Sequence, residues 1–129
     1  MAITITTSVS EIPFSRITQT VTTVTVAAGA ATVDWSVGNK FKVILGNSGN
    51  TITLTNVPDA STAERAEIAL VQPASGSAGT VTWAGPTFDW GTSGAPTLTT
   101  TNGAVDRVVF GNADASHVWG AVVGLGFSV

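Results

Sequence analysis

The residues that could do chemistry are few, and one histidine decides most of the question. His117 is the single histidine of the 129-residue chain, and it directly follows Ser116. A serine nucleophile needs a histidine base within hydrogen-bond reach. Neighbouring residues of a strand point to opposite faces, and no Gly-x-Ser-x-Gly elbow is present. We therefore predict that His117 is buried or lies at an interface and that no residue is catalytic. If the chain were instead a hydrolase, His117→Ala should abolish its activity.

The acidic residues do not form a recognisable site either. The five aspartates lie near turns or strand ends, where aspartate is common. Glu64 and Glu67 are the one close acidic pair, and they flank Arg65. A calcium loop needs several closely spaced oxygen ligands, of which Asn112-Ala113-Asp114 is only a fragment. Because the chain also has no cysteine, we expect neither a metal nor a cofactor.

The charge pattern argues against nucleic acid and membrane partners. The net charge is −3, and the five Lys and Arg residues are scattered except for Lys40 and Lys42. Nucleic-acid binding needs clustered cations, and a membrane span needs about 20 apolar residues in a row. Charged residues make up 10% of the chain against 43% hydrophobic residues. Such a low charge indicates that neighbouring subunits cover much of the surface, or that the exposed surface is polar but uncharged, and we expect both.

Short runs of Thr, Val and Ile, separated by Gly, Pro, Asn, Asp and Ser, dominate the chain and predict strands. Their spacing of about 8–12 residues is typical of a sandwich or barrel. We therefore predict an all-β fold, an antiparallel β-sandwich-like domain over residues 16–129. The expected strands cover residues 2–7, 16–27, 31–36, 40–46, 51–57, 65–72, 79–84, 97–101, 105–111 and 117–128.

Residues 1–15 differ from the rest and predict an extended N-terminal arm or an edge strand. Pro13 cannot donate to a sheet ladder. Four apolar side chains in this segment would gain by burial against a neighbouring subunit. These candidate contact residues are Ile3, Ile5, Ile12 and Phe14. Further along, Ser61 and Glu64 could cap a single helical turn that runs into a strand.

Two similar tetrapeptides each place a tryptophan after an aspartate. They are Thr32-Val33-Asp34-Trp35 and Thr87-Phe88-Asp89-Trp90. The aspartate could cap a turn, and the indole supplies a large apolar anchor. We expect Trp35, Trp83 and Trp119 to pack in the core. Trp90 is the candidate for binding a glycan.

The last strand has no polar face. Read with a period of two, one face of residues 117–129 is bulky and apolar, and the other is small. A half-exposed strand should alternate with polar residues. We therefore expect burial on both sides, either in a subunit contact or as a bent central strand. The candidate contact residues on the small face are Val118, Gly120, Val122, Gly124 and Gly126.

The order of these segments resembles a small β domain of bacteriophage virion proteins, familiar at the ends of tail fibres. The resemblance covers residues 31–129, about three quarters of the chain. The segments that carry it are 31–39, 51–58, 67–72, 79–83, 89–101 and 103–110, with Trp119-Gly120 at the end. The strongest is Asp89-Trp90-Gly91-Thr92-Ser93-Gly94-Ala95-Pro96-Thr97-Leu98-Thr99-Thr100-Thr101.

This resemblance implies a non-enzymatic domain on the particle surface that assembles as a trimer and binds capsid or tail proteins. In that family the domain closes a longer fibre, whereas here it makes up nearly the whole sequence. We therefore expect a capsid decoration (cement) protein or a short fibre, assembled in the host cytoplasm. The alternative is a receptor- or carbohydrate-binding module at a fibre tip.

Overall fold

The structure, a computed structural model, describes residues 19–62 and 64–128. Within these ranges the chain forms nine strands and two 3-10 helices of three residues each. The strands are β1 (Thr22–Thr25), β2 (Ala30–Asp34), β3 (Lys40–Ile44), β4 (Ser48–Thr55), β5 (Arg65–Val71), β6 (Gly79–Ala84), β7 (Thr87–Asp89), β8 (Val105–Asp114) and β9 (His117–Phe127). The 3-10 helices are Trp35–Val37 and Gly91–Ser93.

From β1 to β6 the chain alternates between two sheets. Strands β1, β3 and β5 belong to a six-stranded sheet with the order β1-β3-β5-β8-β9-β7. Strands β2, β4 and β6 form a three-stranded sheet, and each strand from β3 to β6 is parallel to the strand two places earlier. Each turn of this coil therefore adds one strand to each sheet. Parallel strands arise here without the helical crossover that usually connects them.

The core lies between the two sheets because alternate residues of each strand are apolar. Phe41 lies opposite Ile68 in the six-stranded sheet, and Val43 lies opposite Leu70. Directly opposite residues share a face, so these side chains form rows that point toward the smaller sheet. One buried cluster joins both sheets. It consists of Val33, Trp35, Phe41, Val43, Leu45, Ile52, Leu54, Ala66, Ile68, Leu70, Val108, Phe110 and Val118.

Asn50 fixes the loop between β3 and β4. Its side chain is buried, and Oδ1 accepts the Gly46 N–H at 2.8 Å. Nδ2 donates to the carbonyl oxygens of Gly46, Ser48 and Thr80 at 2.9 to 3.1 Å. A buried amide costs free energy unless it is hydrogen-bonded. Asn50 therefore satisfies its own polar atoms and those of the turn together.

Two further amides act in the same way on the loop between β5 and β6. The buried Gln72 accepts the Gly79 N–H at 2.7 Å and donates to the Gly79 carbonyl at 3.0 Å. Asn47 donates to the carbonyl oxygens of Ser75 and Ser77 at 2.9 and 2.7 Å. Side-chain amides thus replace water as the partners of the loop backbone at this end of the coil.

Aspartates order two loops that return from the smaller sheet to the larger one, after β2 and after β4, and also the hairpin between β8 and β9. Three of them accept the backbone N–H of a serine two residues later at 2.8 to 2.9 Å. These hydrogen bonds lower the pKa of each carboxyl below its ordinary value of 3.8, with the serine hydroxyl as the main cause in Asp34 and Asp59 and the backbone N–H in Asp114. The pairs are Asp34 with Ser36, Asp59 with Ser61, and Asp114 with Ser116.

The remaining strands extend the larger sheet alone. Strand β8 is antiparallel to both β5 and β9, while the short β7 is parallel to β9. The rings of Trp83, Phe88 and Trp90 surround Phe110, with ring centroids 5.0, 5.5 and 5.3 Å from the Phe110 ring. These tilted and edge-to-face arrangements are favourable for aromatic rings. They close the core where the three-stranded sheet ends.

The prediction of a mainly β domain is confirmed, but the antiparallel arrangement is not. The smaller sheet is parallel throughout, and the larger one is mixed. Alternation of apolar and polar residues identifies the face of a strand and not its direction. A coil with tight turns between two sheets therefore gives the same sequence pattern as an antiparallel sandwich.

Other differences are local. Residues 97–101 were expected as a strand, yet they run as an irregular segment held by Asp106, whose Oδ2 accepts the Thr99 N–H at 2.6 Å. Strand β7 was not predicted because three residues are too few to show alternation. The expected helical turn at residue 61 is a hydrogen-bonded turn in which Asp59 is the capping residue. The predicted arm, residues 1–15, and strand 2–7 lie outside the described residues.

Candidate assembly surface

The candidate surface begins with the tight hairpin that joins β8 to β9. Asp114 accepts both the backbone N–H and the hydroxyl of Ser116 at 2.8 Å, which closes the turn. Strand β9 then returns along β8 from His117 to Phe127. This hairpin places an eleven-residue strand near the border of the sheet.

Most of β9 has only one neighbouring strand. Strand β7 pairs with residues 117–119 of β9 and then ends. Among the described residues no other strand pairs with this side of β9, so residues 120–127 form an open edge. The segment Gly120-Ala121-Val122-Val123-Gly124-Leu125-Gly126-Phe127 has no charge and no proline. Natural sheets usually protect such an edge with charges, prolines or a covering segment.

The side chains of β9 are exposed as well as its edge. Five large apolar residues expose between 43% and 58% of their surface, whereas Val118 is fully buried. Scattered single apolar residues are normal on a surface, but five exposed ones within one strand are unusual. They are Trp119, Val122, Val123, Leu125 and Phe127. We call these side chains together with the edge of residues 120–127 the β9 edge.

Two irregularities explain why the period-two interpretation of β9 fails. The pairing with β8 shifts between Val108 and Arg107, and again between Arg107 and Val105. An extra residue in one strand changes which face the following side chains occupy. Val122 lies opposite the buried Val108, yet it is exposed. The bulky face predicted from the sequence is therefore divided between both sides of the sheet.

The predicted contact residues of β9 have different positions. Val118 is inside the core, so it is unavailable to a partner. Val122 is exposed. A Cβ on Gly120 would lie 2.6 Å from the Trp90 ring, and a Cβ on Gly124 would lie 2.5 Å from the Phe127 ring. The sequence indicated that these glycines admit another backbone, and in the structure they admit aromatic rings of the same chain.

Gly126 has a backbone role. Its φ is 72°, a conformation that favours glycine. Its N–H donates to Oδ1 of Asp106 at 2.7 Å, while the other oxygen of that buried carboxylate binds the Thr99 N–H. Asp106 therefore holds the end of β9 against the irregular segment 97–101. The other candidate contacts, Ile3, Ile5, Ile12 and Phe14, lie outside the described residues.

Two of the four tryptophans, Trp90 and Trp119, have positions opposite to those expected. Trp35 is buried and Trp83 packs in the aromatic cluster, as predicted. Trp90, the glycan candidate, packs against Phe110 and Gly120. Trp119, expected in the core, is 58% exposed. The sequence shows each tryptophan beside a strand end or a glycine, and nothing in that pattern reveals which face the bulges leave open.

A second surface lies on the side of the six-stranded sheet that faces away from the core. It is a groove of about 440 Å³ that crosses from β1 to β9. Apolar side chains line it together with an ion-pair row in which Glu67 contacts Lys40 at 3.4 Å and also contacts Arg107. We call it the outer groove. Its lining includes Val21, Lys42, Ala69, Val71, Val105 and Phe127.

The arrangement around His117 does not form a catalytic triad. His117 Nε2 lies 4.0 Å from Asp89 Oδ2, and both side chains are well exposed. The Ser116 hydroxyl donates to Asp114 and is thereby directed away from the imidazole. In residues 19–62 and 64–128, no group of three His, Asp or Glu side chains could hold a metal ion. No helix in the same ranges is long and apolar enough to span a membrane.

Comparison with known proteins adds no relative. No family model, no curated protein and no solved structure matches the chain.

Proposed function

We propose that this chain is a non-enzymatic structural protein of a bacteriophage particle, a capsid decoration protein or a short fibre. It assembles through the β9 edge with copies of itself and with capsid or tail proteins. Assembly takes place in the host cytoplasm, and the mature location is the particle surface. The virion assignment is supported by the resemblance of residues 31–129, and assembly is supported by the surface of the folded chain.

The observation that carries the proposal is the eight-residue open edge of β9. Its backbone groups can pair with a strand of another chain, and its exposed apolar side chains gain about 25 cal/mol for each Å² that the contact buries. An uncharged edge in a soluble subunit associates without specificity unless a particular partner covers it. A fixed assembly provides that partner. In the proposed trimer, each copy covers the edge of another.

The proposal separates assembly from folding. Val118 and Phe110 belong to the core, whereas Val123 and Leu125 are 53% and 47% exposed and contribute little to folding. A charge at Leu125 should therefore prevent association and leave the subunit folded. Surface substitutions of this kind usually change stability by about 0.5 kcal/mol or less.

Analytical ultracentrifugation tests the proposal on the full chain. We expect the native protein to sediment as a trimer at micromolar concentration and Leu125→Asp to sediment as a folded monomer. Thr32→Asp is the matched control, because Thr32 is exposed on a strand of the smaller sheet, away from the β9 edge. A native protein that stays monomeric at that concentration would contradict the proposal.

The location on a particle needs its own experiment. A particle that carries this protein would be imaged with the chain labelled at an exposed residue such as Thr51. Regular density at the capsid surface or along the tail would support a virion role. Absence of the label from every purified particle would contradict it.

A receptor- or carbohydrate-binding module is the second candidate, and the exposure of Trp119 favours it. A flat indole face at a surface can stack on a sugar ring. Glycan binding that disappears in Trp119→Ala and survives in Thr32→Ala would support this function. Because Trp90 is packed between Phe110 and Gly120, we expect Trp90→Ala to reduce stability more than binding.

A further inference from the structure

The outer groove is an apolar surface with a positive charge. Ala69, Val71 and Val105 form its floor, and Phe127 closes one side. Three cations, Lys40, Lys42 and Arg107, line it, whereas Glu67 is its one acidic residue. The chain as a whole is negative, with a net charge of −3. The groove therefore fits an extended apolar segment that also carries a carboxylate.

The described chain begins at the rim of this groove. Val21, 53% exposed, is part of the groove wall at the β1 side. Gln19 lines the adjoining depression with Lys40 and Arg65. Residue 18 is bonded to Gln19, so the eighteen preceding residues join the protein where the groove begins.

Those eighteen residues are long enough to cover the groove. From β1 to β9 the sheet has four strand intervals, which span about 19 Å at roughly 4.8 Å each. Eighteen extended residues span up to about 60 Å. About six residues therefore suffice to cross the face, and residues 12–18 alone are sufficient.

The sequence of the segment also matches the groove. Ile12 and Phe14 are two residues apart, so both point to one face of an extended chain. The segment carries one acidic residue, Glu11, and one basic residue, Arg16, and the groove offers three cations together with Glu67. Apolar side chains would contact the floor while the carboxylate approaches Lys42 or Arg107.

We infer that the outer groove is the docking site of this chain's own residues 1–18, with Ile12 and Phe14 as the apolar anchors. The short connection to Gln19 gives the segment an effective concentration on the order of millimolar at its own groove. The segment of the same chain therefore occupies the groove in preference to the corresponding segment of a second copy. This contact differs from the predicted contact of the arm with a neighbour, and it does not depend on the proposed function.

Paramagnetic broadening tests the inference, because the chain has no cysteine. A nitroxide is attached at Ser10→Cys in full-length, isotope-labelled protein that also carries Leu125→Asp to prevent association through the β9 edge. We expect the amide signals of Ala69, Val71 and Arg107 to lose intensity. The amides of Thr32 and Thr53 on the smaller sheet should keep theirs.

Two controls decide which segment occupies the groove. Phe14→Asp in the same spin-labelled chain should restore the groove signals, whereas Ser8→Asp should not. Spin-labelled chain without isotope label, mixed with isotope-labelled chain without spin label, should cause no broadening. Broadening in that mixture would assign the groove to a second copy and overturn the inference. Equal intensity on both sheets in the doubly labelled chain would overturn it too.

Discussion

The two-sheet coil of β1 to β6 and the strand β9 differ in how far their backbone polar groups are hydrogen-bonded and their apolar side chains are buried. In the coil, Asn50 and Gln72 provide partners for the loops, and the apolar residues of both sheets share one core. In β9, eight residues pair with one strand only among residues 19–62 and 64–128, and five large apolar side chains are exposed. The loops of the coil are hydrogen-bonded by side chains of the same chain, whereas this side of β9 pairs with no strand in the described part of the chain.

Together with the proposed function, this difference predicts that folding and assembly depend on separate residues. The coil and the aromatic cluster around Phe110 should determine the free energy of unfolding. The β9 edge should determine association and contribute little to folding. Substitutions in the two regions therefore test whether the coil determines stability and the β9 edge determines association.

The largest effect is expected from Phe110→Ala. Phe110 is fully buried and contacts the rings of Trp83, Phe88 and Trp90. Loss of a buried phenylalanine leaves a cavity and usually costs about 3–5 kcal/mol. Urea denaturation measures this loss. Val123→Ala on the β9 edge is the control, with an expected change of about 0.5 kcal/mol or less. Equal losses would remove the distinction between the regions.

The second effect tests the loops of the coil. Asn50→Ala removes four hydrogen bonds and leaves the partly buried backbone groups of Gly46 without their side-chain partner. We expect a loss of about 2–3 kcal/mol in the free energy of unfolding, since each unsatisfied buried group costs about 1–3 kcal/mol. Asn47→Ala removes two bonds at an exposed site, so a smaller loss is expected. If Asn47→Ala were the more damaging of the two, burial would not be the reason.

A glycine substitution tests whether the side of β9 at Gly120 packs against its own chain. Gly120→Val places a side chain against the Trp90 ring, 2.6 Å from the Cβ position. Overpacking of this kind costs about 1–3 kcal/mol, and tryptophan fluorescence should change with it. Gly111→Ala on β8 is the control, because nothing lies within 4 Å of its Cβ position. Unchanged fluorescence in Gly120→Val would show that Trp90 does not contact this strand.

The smallest effect concerns the loops capped by aspartate. The pKa values of Asp34, Asp59 and Asp114 are lowered in the folded protein by their serine partners. Below about pH 4 the unfolded chain therefore binds more protons than the folded chain, and stability falls as the pH falls through the lowered pKa values. Unfolding measured from pH 5 to pH 2 should show this slope. The slope should be shallower in the triple Asp→Asn variant, and an identical slope would mean that other groups cause it.

The sequence allows the strand positions to be predicted better than the strand partners. The runs around Phe41, Ile52 and Ile68 are predicted correctly because alternation within a strand is a local property. Parallel pairing of Phe41 with Ile68 depends on the path between the sheets, and no local pattern records that path. Asp-x-Ser at Asp34 and Asp59 marks two loops that return from the smaller sheet to the larger one, but the same motif at Asp114 closes the β8–β9 hairpin. The motif therefore indicates a turn and does not reveal the path between the sheets.

The candidate surface was predictable only in part. Lack of polar residues in β9 predicted burial on both sides, whereas within the chain five large apolar side chains of this strand are exposed. The exposed residues were assigned to the wrong faces because the irregular pairing near Arg107 interrupts the alternation. The outer groove could not be predicted at all, since its charged residues come from β3, β5 and β8, which are distant in the chain. Only the register brings Lys40, Glu67 and Arg107 together.

Hydrogen–deuterium exchange of the β9 amides, measured over a range of protein concentrations, tests the central claim most directly. The open edge predicts slow exchange of those amides of residues 120–125 that point away from β8 at high concentration, where a second chain covers them. On dilution their exchange should become fast, while the amides of β3 and β5 in the coil stay protected. Fast exchange of these edge amides at every concentration, with the coil still protected, would contradict the claim that this edge is where the protein assembles.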